Sequence, residues 1–248
     1  MSDSESARPP APERERWLES QLHLAQDARA SLLAELQNRS RNTLSVIRSI
    51  LRRTAARSGS VEDFAQHLEA RLGAYGRAQS TVIRAPLAGA DLATLLTDEL
   101  LAHAVHEGDK VRVEGPDVRL QPRAAELFAL AFNELILNAI KFGALREDTG
   151  RVVARWGFLG EESGHVLRFH WKESGLSQAL PDAGPAGFGT ELIERNLRYE
   201  LNASGRLIYD PDGVECVIEV PATRKILVDD QPGSAGGLNP FATSPPSR

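Results

Sequence analysis

The run AFNELILNAIKFGAL, residues 131–145, sets three polar side chains, Asn133, Glu134 and Asn138, inside an otherwise apolar stretch. Glu134 and Asn138 are four apart, so on a helix they share one face. A carboxylate and a carboxamide on one face, with Lys141 a turn later, can hold a metal-bound phosphate. Oxygen donors suit Mg²⁺, and an ammonium suits phosphate. The same spacing also fits an amphipathic helix with ordinary polar positions. A second group is Trp171-Lys172-Glu173-Ser174-Gly175, at the end of an alternating stretch. A third is Gly184-Pro185-Ala186-Gly187-Phe188-Gly189-Thr190, just before a helical stretch. Glycines at a helix N-terminus let backbone N–H groups approach a phosphate, though alone such a turn is equally a plain tight turn.

The elements that must position these groups follow from periodicity. From Trp17 to about Arg57 there is no Pro or Gly, and Leu18, Leu22, Ala25, Leu32, Leu33, Leu36, Leu44, Ile47 and Leu51 recur at helical spacing. Ser58-Gly59-Ser60 breaks the run, and Ser60 can cap a second helix carrying Val61, Phe64, Leu68, Leu72, Tyr75 and Val82, which ends near Pro86. Two long helices with a short connection form an antiparallel hairpin, and pairing into a dimeric four-helix bundle would bury its apolar stripe. Beyond Pro86 the pattern alternates: helix at 91–106, strand at 110–114, helix at 124–144, strands at 152–159 and 165–172, helix at 187–203. A hairpin at 206–220 turns at Pro211-Asp212-Gly213. The fold class is therefore α+β: a helical hairpin over 17–85, then a two-layer α/β sandwich over 86–223.

Composition sets the outer limits. The chain has 248 residues, 42% hydrophobic and 25% charged, enough for a real core. A single cysteine excludes an intramolecular disulfide framework and a four-cysteine zinc site. No apolar run is long enough to span a membrane, and the N-terminus lacks a signal-peptide apolar segment, so a cytoplasmic location without a membrane span is expected. A net charge of −5 argues against a nucleic-acid partner. Residues 1–16 read as a disordered leader and 224–248 as a flexible tail, in which Ile226–Asp230 is either an edge strand or simply tail. On this division nothing remains for a sensor domain, and a signal is expected to arrive through a partner.

Taken in order, the three groups resemble the ATP-binding domain of histidine kinases, in the fold shared with gyrase, Hsp90 and MutL. The resemblance is nearest to the HWE subfamily. NELILNAIKFGAL, from Asn133 to Leu145, is similar to its Asn-box HELxTNAxKYGAL. WKESGLS, from Trp171 to Ser177, is similar to WxESGGP. GFGTELIER, from Gly187 to Arg195, is similar to GFGxxLIER. The upstream helix LLAELQNRSRNTLSVIRSIL resembles the phosphoacceptor helix. The resemblance implies an ATP site with Glu134 as the base or polariser near the γ-phosphate. It implies that Asn138 binds Mg²⁺ and that Lys141 contacts phosphates. Glu173 would accept from the adenine amino group. Gly175 would let the base pack closely, and Gly187, Phe188, Gly189 and Thr190 would form the hinge of a short lid. Asn133 and Trp171 complete the implied ATP-binding set.

Three positions depart from the family pattern. Asn38 stands where the phosphoacceptor histidine belongs, and an amide nitrogen tied up by resonance has no lone pair with which to attack phosphorus. Asn133 replaces the Asn-box histidine but can still hydrogen-bond. Leu176 replaces a glycine beside the nucleotide, so ATP binding is expected to be weakened. Six histidines exist, His23, His67, His103, His106, His165 and His170, and the sequence puts none in a phosphoacceptor context. Asn42, one turn after Asn38, falls where the family positions the water that dephosphorylates a response regulator. Arg39, Arg41, Arg48, Arg52, Arg53 and Arg57 occur with no acid between Gln37 and Ser60. This is a solvated basic face or a docking surface, with Arg39, Arg41, Arg48 and Arg52 at its centre, for the acidic pocket of a receiver domain.

The expectation is a homodimeric two-component protein without its usual acceptor. It would be an ATP- and Mg²⁺-binding pseudokinase that regulates or dephosphorylates a response regulator or a partner kinase. The alternatives are a kinase acting in trans on a partner's histidine and a non-catalytic docking module.

Overall fold

The computed structural model describes residues 11–84, 88–108, 110–160, 165–177, 187–228 and 241. The chain divides into two compact units, up to Arg52 and from Arg53 onward. The first unit is made by the long helix α1 (Ala11–Ala55), which starts earlier than Trp17 and carries its last turn into the second unit. Trp17, Leu18, Leu22, Leu32, Leu33, Leu36 and Leu44 are exposed along it. Among the described residues no helix is long and apolar enough to cross a membrane.

The second unit opens with α2 (Val61–Arg84). Ser60 caps this helix as its sequence predicts, its hydroxyl accepting from the Asp63 N–H at 3.1 Å. Then come β1 (Ala90–Asp91), α3 (Leu92–Ala102), β2 (Val111–Glu114), β3 (Arg119–Leu120) and α4 (Pro122–Lys141). β4 (Arg151–Leu159) and β5 (Val166–Ser174) form the central hairpin. α5 (Phe188–Glu191) runs through a π-helical turn, Leu192–Asn196, into α6 (Leu197–Leu201), and β6 (Ser204–Asp210) and β7 (Gly213–Pro221) close the sheet. The main sheet has the order β2-β4-β5-β7-β6, with only the β2–β4 pair parallel. This mixed sheet after a helical N-terminal region is the α+β class expected.

Alternation explains which face is covered. Val152, Ala154 and Trp156 of β4, Leu167, Phe169 and Trp171 of β5, and Cys216, Ile218 and Val220 of β7 are all buried. The helix lying in this core is α4, apolar almost all round and buried from Ala124 to Ile136. Phe128 and Phe132 meet Phe169 at centroid separations of 6.4 and 5.0 Å, joining helix to sheet. α2 packs against α4 and α3 within this same unit. Its Arg77 makes a two-pronged pair with the buried Glu99 of α3, at 2.8 and 2.7 Å.

One pairing lies outside the sequence expectation, and a second falls on the edge-strand alternative given for Ile226–Asp230. β1 and β3 form a two-stranded antiparallel ladder too short to leave a periodic signal. Leu227 bridges Leu120, and Val228 donates to the Arg119 carbonyl at 3.0 Å. The segment starting at Ile226 thus pairs rather than trailing off, because Ile226 and Leu227 are buried. Phe169→Ala is expected to cost about 3–5 kcal/mol, the usual range for emptying a buried aromatic site. Urea unfolding checks this through a lower midpoint at unchanged slope.

Candidate functional site

The site is assembled on the C-terminal half of α4. Glu134 is buried there, and its carboxylate is met by a guanidinium from α2. Arg71 donates from Nε to Oε1 at 2.8 Å and from Nη2 to Oε2 at 3.0 Å. Both side chains are under a tenth exposed, and the guanidinium compensates the cost of burying the carboxylate's charge. The remaining Arg71 donor, Nη1, reaches the Thr54 hydroxyl at 2.9 Å, and the guanidinium lies 3.8 Å from the centre of the Phe188 ring. Asn133, fully buried, bridges His103 at 3.1 Å and the Glu134 Oε1 at 3.3 Å. The amide thus makes the hydrogen bonds that its replacement of a histidine left open.

Glu173 is the site's other buried carboxylate, at 2% exposure, but among the described residues no cation meets it. Its Oε2 accepts from the Ala144 N–H at 2.8 Å and its Oε1 from the Trp171 indole at 3.2 Å. Burial pushes its carboxyl above the usual glutamate range, and those two hydrogen bonds oppose the shift without cancelling it. Gly143 is needed here because a Cβ would stand 2.0 Å from the Glu173 Oε2. Trp171 is wholly buried, so it orients Glu173 from within the core.

The glycine-rich group closes over the other end. Gly189 packs on Glu134, where an added Cβ would lie 3.0 Å from that residue's Cβ. Phe188 is buried, Thr190 is half-buried and Gly187 is exposed. Gly175 has φ of +81° and donates to Asp212 at 3.0 Å, a conformation that favours glycine. The lid expected between Gly175 and Gly187 lies largely outside the described residues. Asn138 is exposed on α4, and Leu176 is half-buried.

Lys141 is engaged by α2. Its Nζ lies 2.9 Å from His67 Nε2, and His67 Nδ1 lies 3.0 Å from Asp63. Of the basic run, Arg53 and Arg57 are committed within the second unit. Arg53 bonds Glu191 and Asn196, and Arg57 bonds Glu191, all at 2.8 Å. Arg39, Arg41, Arg48 and Arg52 are exposed on α1, as are Asn38 and Asn42. Arg71 and His67 belong to no motif, so sequence reasoning passed over them. The signal available was the spacing Asp63, His67, Arg71, one polar residue per turn on one face.

Residues 35–117 match the family model of the HWE histidine kinases. A blue-light-activated histidine kinase of Brucella anthropi is 25% identical over 203 residues, covering 82% of this chain and 41% of the relative. The counterpart in Brucella ovis is 24% identical over the same extents. This chain is a homologue of the HWE histidine kinases. It spans about two fifths of the length of these curated relatives. Its fold is similar to the solved histidine kinase domain of the Erythrobacter litoralis EL346 blue-light-activated kinase, with a TM-score of 0.53 at 21% identity. That match covers 73% of this chain and 87% of the other.

The donors in this HWE homologue can be tested against ATP directly. Each Glu173 oxygen spends one acceptor position on its observed partner, so capacity remains for an amino N–H. Among the described residues no three His, Cys, Asp or Glu side chains converge as a metal cage. A Mg²⁺ held here would rely on Asn138 together with the phosphates themselves.

Two outcomes follow. Arg71→Met strands a buried carboxylate and is expected to cost about 3–5 kcal/mol, whereas Arg71→Met with Glu134→Met recovers most of that loss. Chemical denaturation of the three variants completes the cycle. For Glu173, the folded chain keeps its proton to higher pH than the unfolded chain does. Stability therefore falls as pH rises from the ordinary glutamate value through the raised one. Glu173→Gln should remove that part of the pH dependence in urea titrations run across this window.

Proposed function

We propose that this chain is a two-component signalling protein that binds ATP with Mg²⁺ and cannot accept a phosphoryl group at position 38 of α1. One observation carries the reading: all three motifs converge on the C-terminal half of α4. Glu173 meets Gly143 and Ala144, Gly189 meets Glu134, and Lys141 ends the helix. In this reading Glu173 holds the adenine amino group, Lys141 the phosphates, and Asn138 the metal. Bound ATP would supply a transferable phosphoryl group with an activated leaving group.

Output would pass through α1. The exposed Arg39, Arg41, Arg48 and Arg52 suit the acidic pocket of a response-regulator receiver domain or a partner kinase. Asn42, exposed one turn from Asn38, would hold the water that dephosphorylates the receiver. The exposed leucines of α1 support pairing with a second copy, which would remove them from water. Arg71 and Asn133 filling three acceptor positions of the Glu134 carboxylate supports the regulatory reading over transfer in trans, since a base there would have to give up part of that ion pair.

The test is a pair of measurements on the full chain. A fluorescent ATP analogue should bind with Mg²⁺ and be displaced by ATP, and failure to bind would overturn the reading. With γ-labelled ATP, peptides carrying position 38 should stay unlabelled in the native chain. In Asn38→His the same peptides should gain acid-labile label.

A further inference from the structure

α2 brings to this site a side-chain set that none of the motifs contains. The His67 ring is about a quarter exposed, with Nδ1 3.0 Å from Asp63 Oδ1 and Nε2 2.9 Å from Lys141 Nζ. An ammonium has donors only, so Nε2 must be the acceptor. The ring proton then sits on Nδ1 and is donated to Asp63. The geometry thus fixes a neutral imidazole in one tautomer. Its unprotonated Nε2 accepts from Lys141, the side chain to which the family resemblance gives the phosphates. Asp63 and His67 are one helical turn apart, so α2 itself holds the pair in register. A carboxylate that fixes the tautomer of an imidazole is the arrangement that prepares this ring for reaction in many enzymes.

We propose that His67 is a phosphoacceptor of this chain, with Asp63 as its positioning residue. The inference rests on the ATP-binding reading above and adds a destination for the phosphoryl group on α2 instead of α1. In the step, the Nε2 lone pair attacks the γ-phosphorus and an N–P bond forms. The bond from that phosphorus to the bridging oxygen breaks, and the nucleoside diphosphate leaves with the electron pair. The ring becomes cationic, and its Nδ1 proton stays hydrogen-bonded to the Asp63 carboxylate, which offsets the charge. No base is needed, because Nε2 carries no proton to remove. That matters here, since Arg71 and Asn133 already occupy Glu134. Two other rings lack this placement: His103 Nε2 faces the Asn133 carbonyl oxygen and His170 Nε2 the Glu215 carboxylate, both acceptors, so in each ring that nitrogen carries the proton.

The experiment uses the full chain with Mg²⁺ and γ-labelled ATP, followed by peptide mapping at alkaline pH. Acid-labile label is expected on the peptide carrying His67. It should be lost in His67→Gln, kept in His23→Gln and His170→Gln, and formed about 100-fold more slowly in Asp63→Asn. Mapping on the unaltered chain keeps the test valid even where a variant fails to fold. Two measurements need no nucleotide. Nitrogen NMR of the free chain at mildly alkaline pH should show His67 protonated on Nδ1 alone, and phosphoramidate should phosphorylate the same nitrogen. ATP bound without label on His67, label mapped elsewhere, or the opposite tautomer overturns the acceptor assignment alone. Absence of any nucleotide binding overturns the ATP reading and the acceptor with it.

Discussion

A carboxylate buried in an apolar helix must be neutralised, and in this protein that constraint is met by the Arg71–Glu134 pair. α4 cannot supply the partner, because its neighbouring positions are apolar or amide. The cation therefore comes from α2, and α2 is held against α4 as a result. The rest of the guanidinium is used as fully: one edge reaches Thr54 beyond the end of the pair, and one face lies on Phe188. A single ion pair thereby ties together the last turn of α1, α2, α4 and the start of α5. Arg53 and Arg57 extend the same lattice to Glu191 and Asn196, in and beside the π-helical turn.

Glu173 meets the same physical demand in a different way. It is stabilised by an amide and an indole, which are dipoles and not charges, and its carboxyl accordingly sits above the usual range. The two acids divide the work by their surroundings. Glu134 is paired with a cation and serves as a structural anchor in this arrangement. Glu173 retains acceptor capacity beside Gly143, where no Cβ crowds its carboxylate, which suits recognition of a polar N–H.

Much of this was legible in the sequence, and the reasons are specific. α4 announced itself by an apolar run broken by three polar residues, and β5 and β7 by strict alternation. The turn residues Pro211-Asp212-Gly213 fell between β6 and β7. Two of those polar residues, Asn133 and Glu134, are buried and each has a partner, whereas Asn138 is exposed. The partners themselves were not legible. Arg71 and His67 sit on a polar helix face of a kind that usually faces water, and only the packing of α2 on α4 turns that face inward. The β1–β3 ladder escaped for a different reason: two-residue strands carry no periodicity to read.

Two of the polar contacts between α2 and α4 are His67 on Lys141 and Arg71 on Glu134. These are spaced four residues on one helix and seven on the other. A shift of α2 by a single residue turns its side chains by about 100° around the helix axis, since a turn holds about 3.6 residues. Such a shift cannot keep one contact while losing the other. A shift of α2 would therefore disturb both polar groups together and not one at a time.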